Sequence, residues 1–275
     1  MSRSPAMSQP VAPAHALVPA SEMAQVSAHT PRWRPGLAPT YHSEVFAAAG
    51  ETSGVAAALA LAADALRGAA PGRSAEAGIR TADCRALMWV QDRAALKLGG
   101  RPYRPGLPQI FRHRLIHVVC EKPEDALFAL EESLRCRDVA AVIGEIAGNP
   151  RAFDFTASRR LTLTAEKHGV PLWLVRLDAA HDLSSARMRW DVRSAPSPAP
   201  RWNADAPGTP SWQAELFRAR QHPPGKWTLR DDGNVLSAAR VTNDDIADRE
   251  TAPDPAPAYP LGLAFAAGDR SLAAG

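Results

Sequence analysis

The chain has 275 residues, 45% of them hydrophobic, which is enough for one large or two small domains with a real core. A formal net charge of +3 permits contact with nucleic acid without demanding it. Three cysteines without a C-x-x-C pair argue against a zinc site, and no apolar run approaches the length of a membrane span. Because the N-terminus also lacks a signal-peptide pattern, we expect a cytoplasmic protein without a metal or cofactor.

The N-terminal segment, residues 1–40, is rich in Pro, Ala and Ser and shows no periodicity. This composition predicts disorder, because too little apolar surface is available to offset the entropy lost on ordering. The cluster Arg32-Trp33-Arg34 lies in this segment, and we interpret it as part of a solvated tail.

Apolar strands alternate with amphipathic helices from His42 onwards. The predicted strands are residues 43–48, 85–92, 115–120, 139–146 and 171–177, and the predicted helices are residues 55–68, 123–137 and 152–170. Gly169 is expected to end the last helix. A long Gly/Pro-rich connection covers residues 94–113, and residues 186–194 alternate as an edge strand would. The pattern predicts an α/β domain over residues 41–195, with a mostly parallel sheet flanked by helices.

The remaining chain has a different composition. Residues 196–210 form a Pro/Ser/Ala linker, residues 211–241 predict a strand pair as a small C-terminal β extension, and residues 242–275 are acidic and Pro-rich at first and predict a disordered tail. Four tryptophans fall at the edge strand or beyond it: Trp190, Trp202, Trp212 and Trp227. They fit either a partner-binding surface or a hydrophobic patch that holds the extension to the domain.

The turn between the first strand and the first helix stands where a phosphate loop would be. It reads Ala49, Gly50, Glu51, Thr52, Ser53, Gly54. A phosphate loop also needs a Lys for the terminal phosphates and a Ser/Thr for magnesium, and here Val55 and Ala56 follow instead. At the end of the strand over residues 139–146, Gly144 replaces the acid expected there, and Glu145 points to the opposite face. We therefore predict a degenerate loop that binds no nucleotide, and no enzyme.

Several motifs in this order resemble RecA-like recombinase domains and, more closely, the ImuA family of RecA-related accessory factors. They are Glu44-Val45-Phe46, Trp89-Val90-Gln91-Asp92-Arg93, residues 100–107 (GRPYRPGL), residues 125–136, Ala141-Val142-Ile143-Gly144-Glu145 and Thr156-Ala157-Ser158-Arg159-Arg160-Leu161. The resemblance covers residues 41–195, with a weaker echo over residues 211–241. It implies a RecA-like fold. Relative to RecA, the chain lacks the loop Lys, the Ser/Thr and the strand-end acid, so the resemblance does not extend to ATP hydrolysis.

The resemblance also implies a pathway and partners. ImuA-like proteins act in SOS mutagenesis beside ImuB, a Y-family-related protein, and an error-prone polymerase III α subunit, in concert with RecA. The resemblance therefore implies a role in translesion DNA synthesis and association with the nucleoid after DNA damage. Two alternatives stay open at this point: an atypical P-loop ATPase of DNA repair, and a protein similar to the SOS cell-division inhibitors.

A basic segment from Arg93 to Arg114 is the candidate surface for DNA or a protein partner. It carries six basic residues and no acid, with aromatic residues between them. The candidate binding residues in it are Arg93, Lys97, Arg101, Tyr103, Arg104, Arg112 and Arg114. Arg159 and Arg160, on the helix over residues 152–170, are a weaker addition to the same set. A solvated loop with a few salt bridges is the alternative interpretation.

Overall fold

A computed structural model gives the structure of residues 31–51, 53–69, 84–200, 203 and 206–241. The chain divides into two units, residues 1–240 and 241–275, and every described helix and strand belongs to the first. No helix among these residues is long and apolar enough to cross a membrane. The disorder that we predicted for residues 1–30 and 242–275 lies outside the described residues.

The described residues form nine strands in one sheet. In chain order the strands are β1 (His42–Ala47), β2 (Ala86–Asp92), β3 (Leu115–Cys120), β4 (Val139–Ala147), β5 (Leu172–Leu177), β6 (Met188–Ser194), β7 (Ser211–Ala219), β8 (Gly225–Asp231) and β9 (Leu236–Arg240). Across the sheet they lie in the order β3-β2-β4-β5-β1-β6-β7-β8-β9. Neighbours from β3 to β6 are parallel, and neighbours from β6 to β9 are antiparallel.

Helices of the described residues connect and cover these strands. They are α1 (Ser53–Ala69), α2 (Arg93–Gly99), the single turn α3 (Gln109–Arg112), α4 (Pro123–Arg135) and α5 (Phe155–His168), with a short 3-10 turn at Arg104–Gly106. Asp154 accepts the Ala157 amide at 2.7 Å and so caps the start of α5. Gly169 ends α5 in the left-handed conformation, as its position in the sequence predicted.

Side chains of the central strands alternate between the two faces of the sheet. The face that carries Val45 and Ile143 packs against α1 and, through Ala95, against α2; we name it the α1 face. The opposite face carries Val142 and packs against α4 and α5; we name it the α5 face. The predicted fold class is therefore confirmed: an α/β domain with a mostly parallel sheet flanked by helices.

A buried ion pair on the α5 face joins β1 to β6. Arg189 Nε donates to Glu44 Oε2 at 2.7 Å, and Ser184 Oγ donates to Glu44 Oε1 at the same distance. Ser184 belongs to the connection between the parallel strands β5 and β6, residues 178–187, which returns along this face without forming a helix. Ser185 bonds to Thr162 of α5 at 2.6 Å. The returning segment is thus fixed both to the sheet and to α5.

Three predictions about elements need correction. The connection over residues 94–113 contains α2, which begins because Asp92 accepts the Ala95 amide at 2.6 Å and caps it. Strand β6 is an interior strand, because β7 pairs with its free side. The C-terminal extension has three strands instead of two, since β9 pairs with β8. Alternation alone does not reveal whether a later strand covers an edge.

The cluster Arg32-Trp33-Arg34 is the site of a further correction. Trp33 is only 8% exposed, and its ring meets those of Trp190 and Trp227 edge-on, at centroid distances of 4.7 and 5.4 Å. Gly36 N donates to Asp64 of α1 at 2.7 Å. The chain before β1 therefore packs across the α1 face, because it covers apolar surface that α1 leaves open.

The tryptophans of the C-terminal half are part of the same packing. Trp190, Trp212 and Trp227 are all buried in the core cluster of the α1 face. This favours the hydrophobic patch over the partner-binding surface as the interpretation of these three side chains. Trp202 lies outside the described residues.

Substitution of Trp33 tests this packing. Trp33→Ala removes a large buried ring that contacts two others, and we expect it to lower the free energy of unfolding by about 3 kcal/mol. Arg32→Ala, at the exposed neighbour, is the control and should change stability by less than about 0.5 kcal/mol. Equal stability of the two variants in chemical denaturation would contradict the packing.

Candidate functional site

The turn after β1 lies at the edge where the parallel strands end, which is where α/β folds bind ligands. Two carboxylates hold this turn. Asp178, just after β5, accepts the Ala49 amide at 2.8 Å. Glu51 accepts the Ser53 hydroxyl at 2.9 Å and the Ser194 amide at 2.8 Å, and these bonds keep the pKa of Glu51 below its usual value. The Ala49 amide and the Ser53 hydroxyl of this turn are therefore already bonded to the protein's own carboxylates. Thr52 lies outside the described residues.

The glycines of the turn differ in what they do. A Cβ at Gly54 would lie 2.5 Å from Ala47 Cβ, so the start of α1 approaches β1 too closely for any side chain. A Cβ at Gly50 would meet nothing within 4 Å. Val55, where a phosphate loop has its Lys, is partly buried against the core of the α1 face. Helix packing thus explains the glycine at position 54 but not the one at position 50.

Near the end of β4, Gly144 and Glu145 face opposite sides of the sheet, and the side that carries α1 is not the one expected from the sequence. A Cβ at Gly144 would lie 2.8 Å from Leu174 Cδ1 and 2.9 Å from Leu130 Cδ2, inside the core of the α5 face. Glu145 does point the other way, as predicted, but that direction is the α1 face, on which the helix after the turn lies. Our interpretation that the acid on this side had been lost is therefore wrong. A carboxyl group is present there, although it is sealed.

Glu145 is buried beneath the C-terminal end of α2. It is 1% exposed, and Trp89 Nε1 donates to its Oε1 at 2.5 Å. Its Oε2 has no hydrogen-bond partner among the described residues and lies 3.4 Å from the point where a Cβ of Gly99 would be. Burial raises the pKa of Glu145 to about 7, although hydrogen bonds from Gln91 and Trp89 oppose the shift. The group is thus near the midpoint of its titration at neutral pH.

The two strand-end acids, Asp92 at the end of β2 and Glu145 near the end of β4, form no bond to a described amide of the turn at residues 50–54. Asp92 caps α2, and burial raises its pKa although the amides of Ala95 and Ala147 oppose the shift. Asp92 therefore stabilises the start of α2, whereas Glu145 lies buried beneath its end.

A polar chain of side chains links Glu145 to the surface on the α1 face. His117 Nε2 lies 2.7 Å from Gln91 Oε1, and Gln91 Nε2 donates to the Gly100 carbonyl at 3.0 Å. Burial lowers the pKa of His117, and the positive charges of Arg101 and Arg104 lower it further. The bond to Gln91 thus gives His117 a partner within the sheet.

The basic segment Arg93–Arg114 covers this polar chain, and several of its cations are engaged internally. Arg104 donates to the Leu115 carbonyl at 3.0 Å, Arg112 to the Leu107 carbonyl at 3.4 Å, and Arg114 to the Ile110 carbonyl. Arg93 pairs with Glu121 at 2.6 Å.

The rest of the segment faces solvent. Lys97 and Arg101 are exposed and form no ion pair with a described residue, and Tyr103 is 74% exposed beside them in sequence. The part of the segment that is free to bind therefore begins at Lys97 and ends at Tyr103.

The other two candidate arginines do not join this surface. Arg159 and Arg160 are on α5, on the opposite face of the sheet from the basic segment. Arg160 Nε pairs with Glu131 of α4 at 2.6 Å. Arg159 lines a separate cleft with Arg187, Arg218 and Arg220, three residues that were not predicted from the sequence. The available signal was the repeated Arg-x-Arg spacing at residues 187–189 and 218–220, which puts both arginines of each pair on one face of a strand.

Among the residues that the structure describes, no group of three or more His, Cys, Asp or Glu side chains is arranged to hold a metal ion. In the comparisons with known proteins, no family model and no curated protein matches this chain. Among solved structures, SulA from Pseudomonas aeruginosa is similar at 20% identity, over 50% of this chain and 99% of SulA, with a TM-score of 0.31. A TM-score this low carries no argument about function.

The two glycines of the turn provide a matched pair for a stability test. In Gly54→Ala the new methyl group meets Ala47, so α1 must shift, and we expect a loss of about 1–3 kcal/mol in the free energy of unfolding. Gly50→Ala adds a methyl group in open space and should change stability by less than about 0.5 kcal/mol. Chemical denaturation of both variants checks this, and an undisturbed Gly54→Ala protein would refute the close approach.

The raised pKa of Glu145 predicts a pH-dependent stability. Its pKa is about 7 when folded and 4.5 as the ordinary value, so the folded state binds the proton more tightly. The wild-type protein therefore loses stability as the pH rises from about 4.5 to 7, whereas Glu145→Gln stays neutral and does not. The unfolding free energy of Glu145→Gln should therefore rise relative to that of the wild type, by up to about 3 kcal/mol over this pH range.

Denaturation of both proteins between pH 5 and 8 measures this difference, since the other titrating groups are shared. Glu124→Gln, at an exposed position, is the control, and its difference from the wild type should stay flat. If the difference in unfolding free energy between Glu145→Gln and the wild type also did not change with pH, the Glu145 carboxyl group would be solvated.

Proposed function

We propose that this chain is a non-catalytic, RecA-like accessory protein of error-prone translesion DNA synthesis in the SOS response, similar to ImuA. It acts by binding an ImuB-like, Y-family-related protein and RecA, and works beside an error-prone polymerase III α subunit. The support for the pathway is the order of motifs over residues 41–195 and the echo over residues 211–241. Strand β1, the turn, α1 and the end of β4 follow one another as a RecA-like domain requires.

The state of the turn after β1 is the observation that carries the non-catalytic part of the proposal. A nucleotide's phosphates need free amides and positive charge. Here the Ala49 amide already donates to Asp178 and the Ser53 hydroxyl to Glu51, and both carboxylates repel a phosphate. Val55 and Ala56 supply neither the cation nor the hydroxyl that nucleotide binding with magnesium uses.

A second candidate is an atypical P-loop ATPase, and the orientation of Glu145 favours it. This acid lies on the face of the sheet that carries α1, as a residue acting on bound nucleotide would. Its burial and its bond to Trp89 count against that role, since a catalytic carboxyl group must reach the ligand.

Nucleotide binding separates the two candidates. We expect purified full-length protein to show no binding of a fluorescent ATP analogue with magnesium and no phosphate release above a protein-free blank. Saturable binding accompanied by phosphate release, which Gly54→Ala weakens and Gly50→Ala does not, would replace the accessory role with an ATPase. Inhibition of a filament-forming cell-division protein, without affinity for the ImuB-like protein, would instead indicate a protein similar to the division inhibitors.

The solvent-facing part of the basic segment is the proposed partner surface. Lys97→Glu/Arg101→Glu reverses two exposed charges that hold no internal contact, so the fold should be kept. We expect its affinity for the purified ImuB-like protein or for RecA to fall about tenfold or more, because reversed charges repel an acidic partner. Isothermal titration or surface binding measures the affinity.

The matched control is Arg137→Glu/Lys167→Glu, which makes the same change in net charge at exposed positions elsewhere. It should bind both partners as the wild type does. Arg104 and Arg112 are left unchanged, because their bonds to backbone carbonyls make them part of the fold. Equal losses in both double variants would reduce the effect to net charge and remove this surface from the proposal.

A further inference from the structure

A cleft of about 530 Å³ opens on the α5 face, and nothing in the proposed function uses it. Its walls are α5, the returning segment at residues 184–187 and the end of β7 with the residue that follows it. Its volume lies in the range of small-ligand sites. The walls are held by the bonds of Ser158 to Ser184 at 2.9 Å and of Thr162 to Ser185 at 2.6 Å. The cleft is therefore a preformed feature.

Four arginines line this cleft: Arg159, Arg187, Arg218 and Arg220. Arg187 is neutralised by Glu166, with the two side chains 2.6 Å apart. Within the described residues the other three form no ion pair and no side-chain hydrogen bond, and no acidic side chain lines the cleft itself. Three unpaired cations on one concave surface repel each other unless an anion lies between them.

The backbone of β7 brings two of these cations to the cleft. Met188 pairs with Ala219, Arg189 with Arg218, and Trp190 with Leu216, so Phe217 is an extra residue on β7. This β-bulge lets Phe217, which stacks on His181, and Arg218 both face α5. Arg220 follows two residues later and faces the same way.

The chemistry of the rim indicates which anion fits. Phe155 and Leu163 line the cleft, 40% and 51% exposed, beside the arginines. A second cleft of about 380 Å³ shares Arg187 and Arg220 with the first. It includes Tyr41, His222 and one acid, Glu166, which is the partner of Arg187. Guanidinium groups in the middle and exposed rings at both sides match phosphates joined to stacked bases. Two adjoining clefts extend further than a mononucleotide needs.

We propose that this pair of clefts binds the phosphodiester backbone of single-stranded nucleic acid, through Arg159, Arg218 and Arg220, with bases packed on Phe155 and Tyr41. The site is on the opposite face of the sheet from the basic segment Arg93–Arg114. The proposed binding of nucleic acid at this site does not depend on whether the protein binds an ImuB-like partner or RecA.

The test is the affinity of the full-length protein for a fluorescent 12-residue thymidine oligonucleotide, measured by anisotropy. Arg218→Glu/Arg220→Glu should weaken binding about tenfold or more, and the neutral Arg218→Gln/Arg220→Gln should weaken it less. Loss of two phosphate contacts should also make the slope of log affinity against log salt less negative by about 1.4, at about 0.7 per contact. Phe155→Ala should weaken binding without changing that slope.

Arg137→Glu/Lys167→Glu is the charge-matched control and should bind nearly as the wild type does. Thermal unfolding of every variant shows whether it is folded. Wild-type affinity in Arg218→Glu/Arg220→Glu, or a loss no larger than in the control, would overturn the proposal. So would displacement of the oligonucleotide by thymidine monophosphate at an equal phosphate concentration, which indicates a nucleotide site. Equal displacement by poly-glutamate would likewise overturn it, since an acidic peptide would then be the ligand.

Discussion

The ion pair between Glu44 and Arg189 holds the two halves of the sheet together. It joins β1, at the end of the parallel half, to β6, from which the antiparallel half begins, and both side chains are buried. Removing one partner of such a pair leaves an uncompensated charge and costs about 3–5 kcal/mol. Because Ser184 binds the same carboxylate, the pair also fixes the returning segment that forms a wall of the arginine cleft. The geometry of that cleft therefore depends on a contact in the core.

Acidic and basic side chains are distributed differently on the two faces of the sheet. On the α1 face the acids are enclosed, with Glu145 beneath α2, and the cations of the basic segment lie outside them. On the α5 face one acid is paired with Arg189, and unpaired arginines line an open cleft. At the edge of the sheet where the parallel strands end, Glu51 and Asp178 accept hydrogen bonds from the turn after β1. Negative charge is thus concentrated at the turn after β1, and unpaired positive charge at the cleft of the α5 face.

Most strands and helices were predictable from the sequence, because the spacing of apolar residues that marks each of them is contained in a short stretch of chain. The apolar runs that became β3 and β4, and the helix between them, are clear in the sequence alone. Helix α2 was missed because it has only seven residues and depends on its cap at Asp92. The burial of Trp33 and the interior place of β6 depend on residues far away in the chain, which no local window contains.

The candidate site was predictable only in part, for a related reason. The sequence shows Val55 where a phosphate loop has its Lys. Asp178, which accepts the Ala49 amide, lies just after β5 and more than 120 residues later in the chain. Alternation along β4 correctly put Gly144 and Glu145 on opposite faces, yet it did not indicate which face carries α1. The arginine cleft combines α5 with β7, so its members never occur together in the sequence.

The place of β1 between β5 and β6 has a consequence for synthesis of the chain. His42 pairs with Leu172 and Ser43 with Met188, so both partners of β1 leave the ribosome long after it does. Strand β1, which is buried along its whole length in the finished sheet, therefore emerges without a hydrogen-bonding neighbour. The units from β2 to β5 contain closer pairings and can form earlier. During this interval the nascent chain exposes an unpaired strand edge, which is a feature that favours aggregation of unfinished chains.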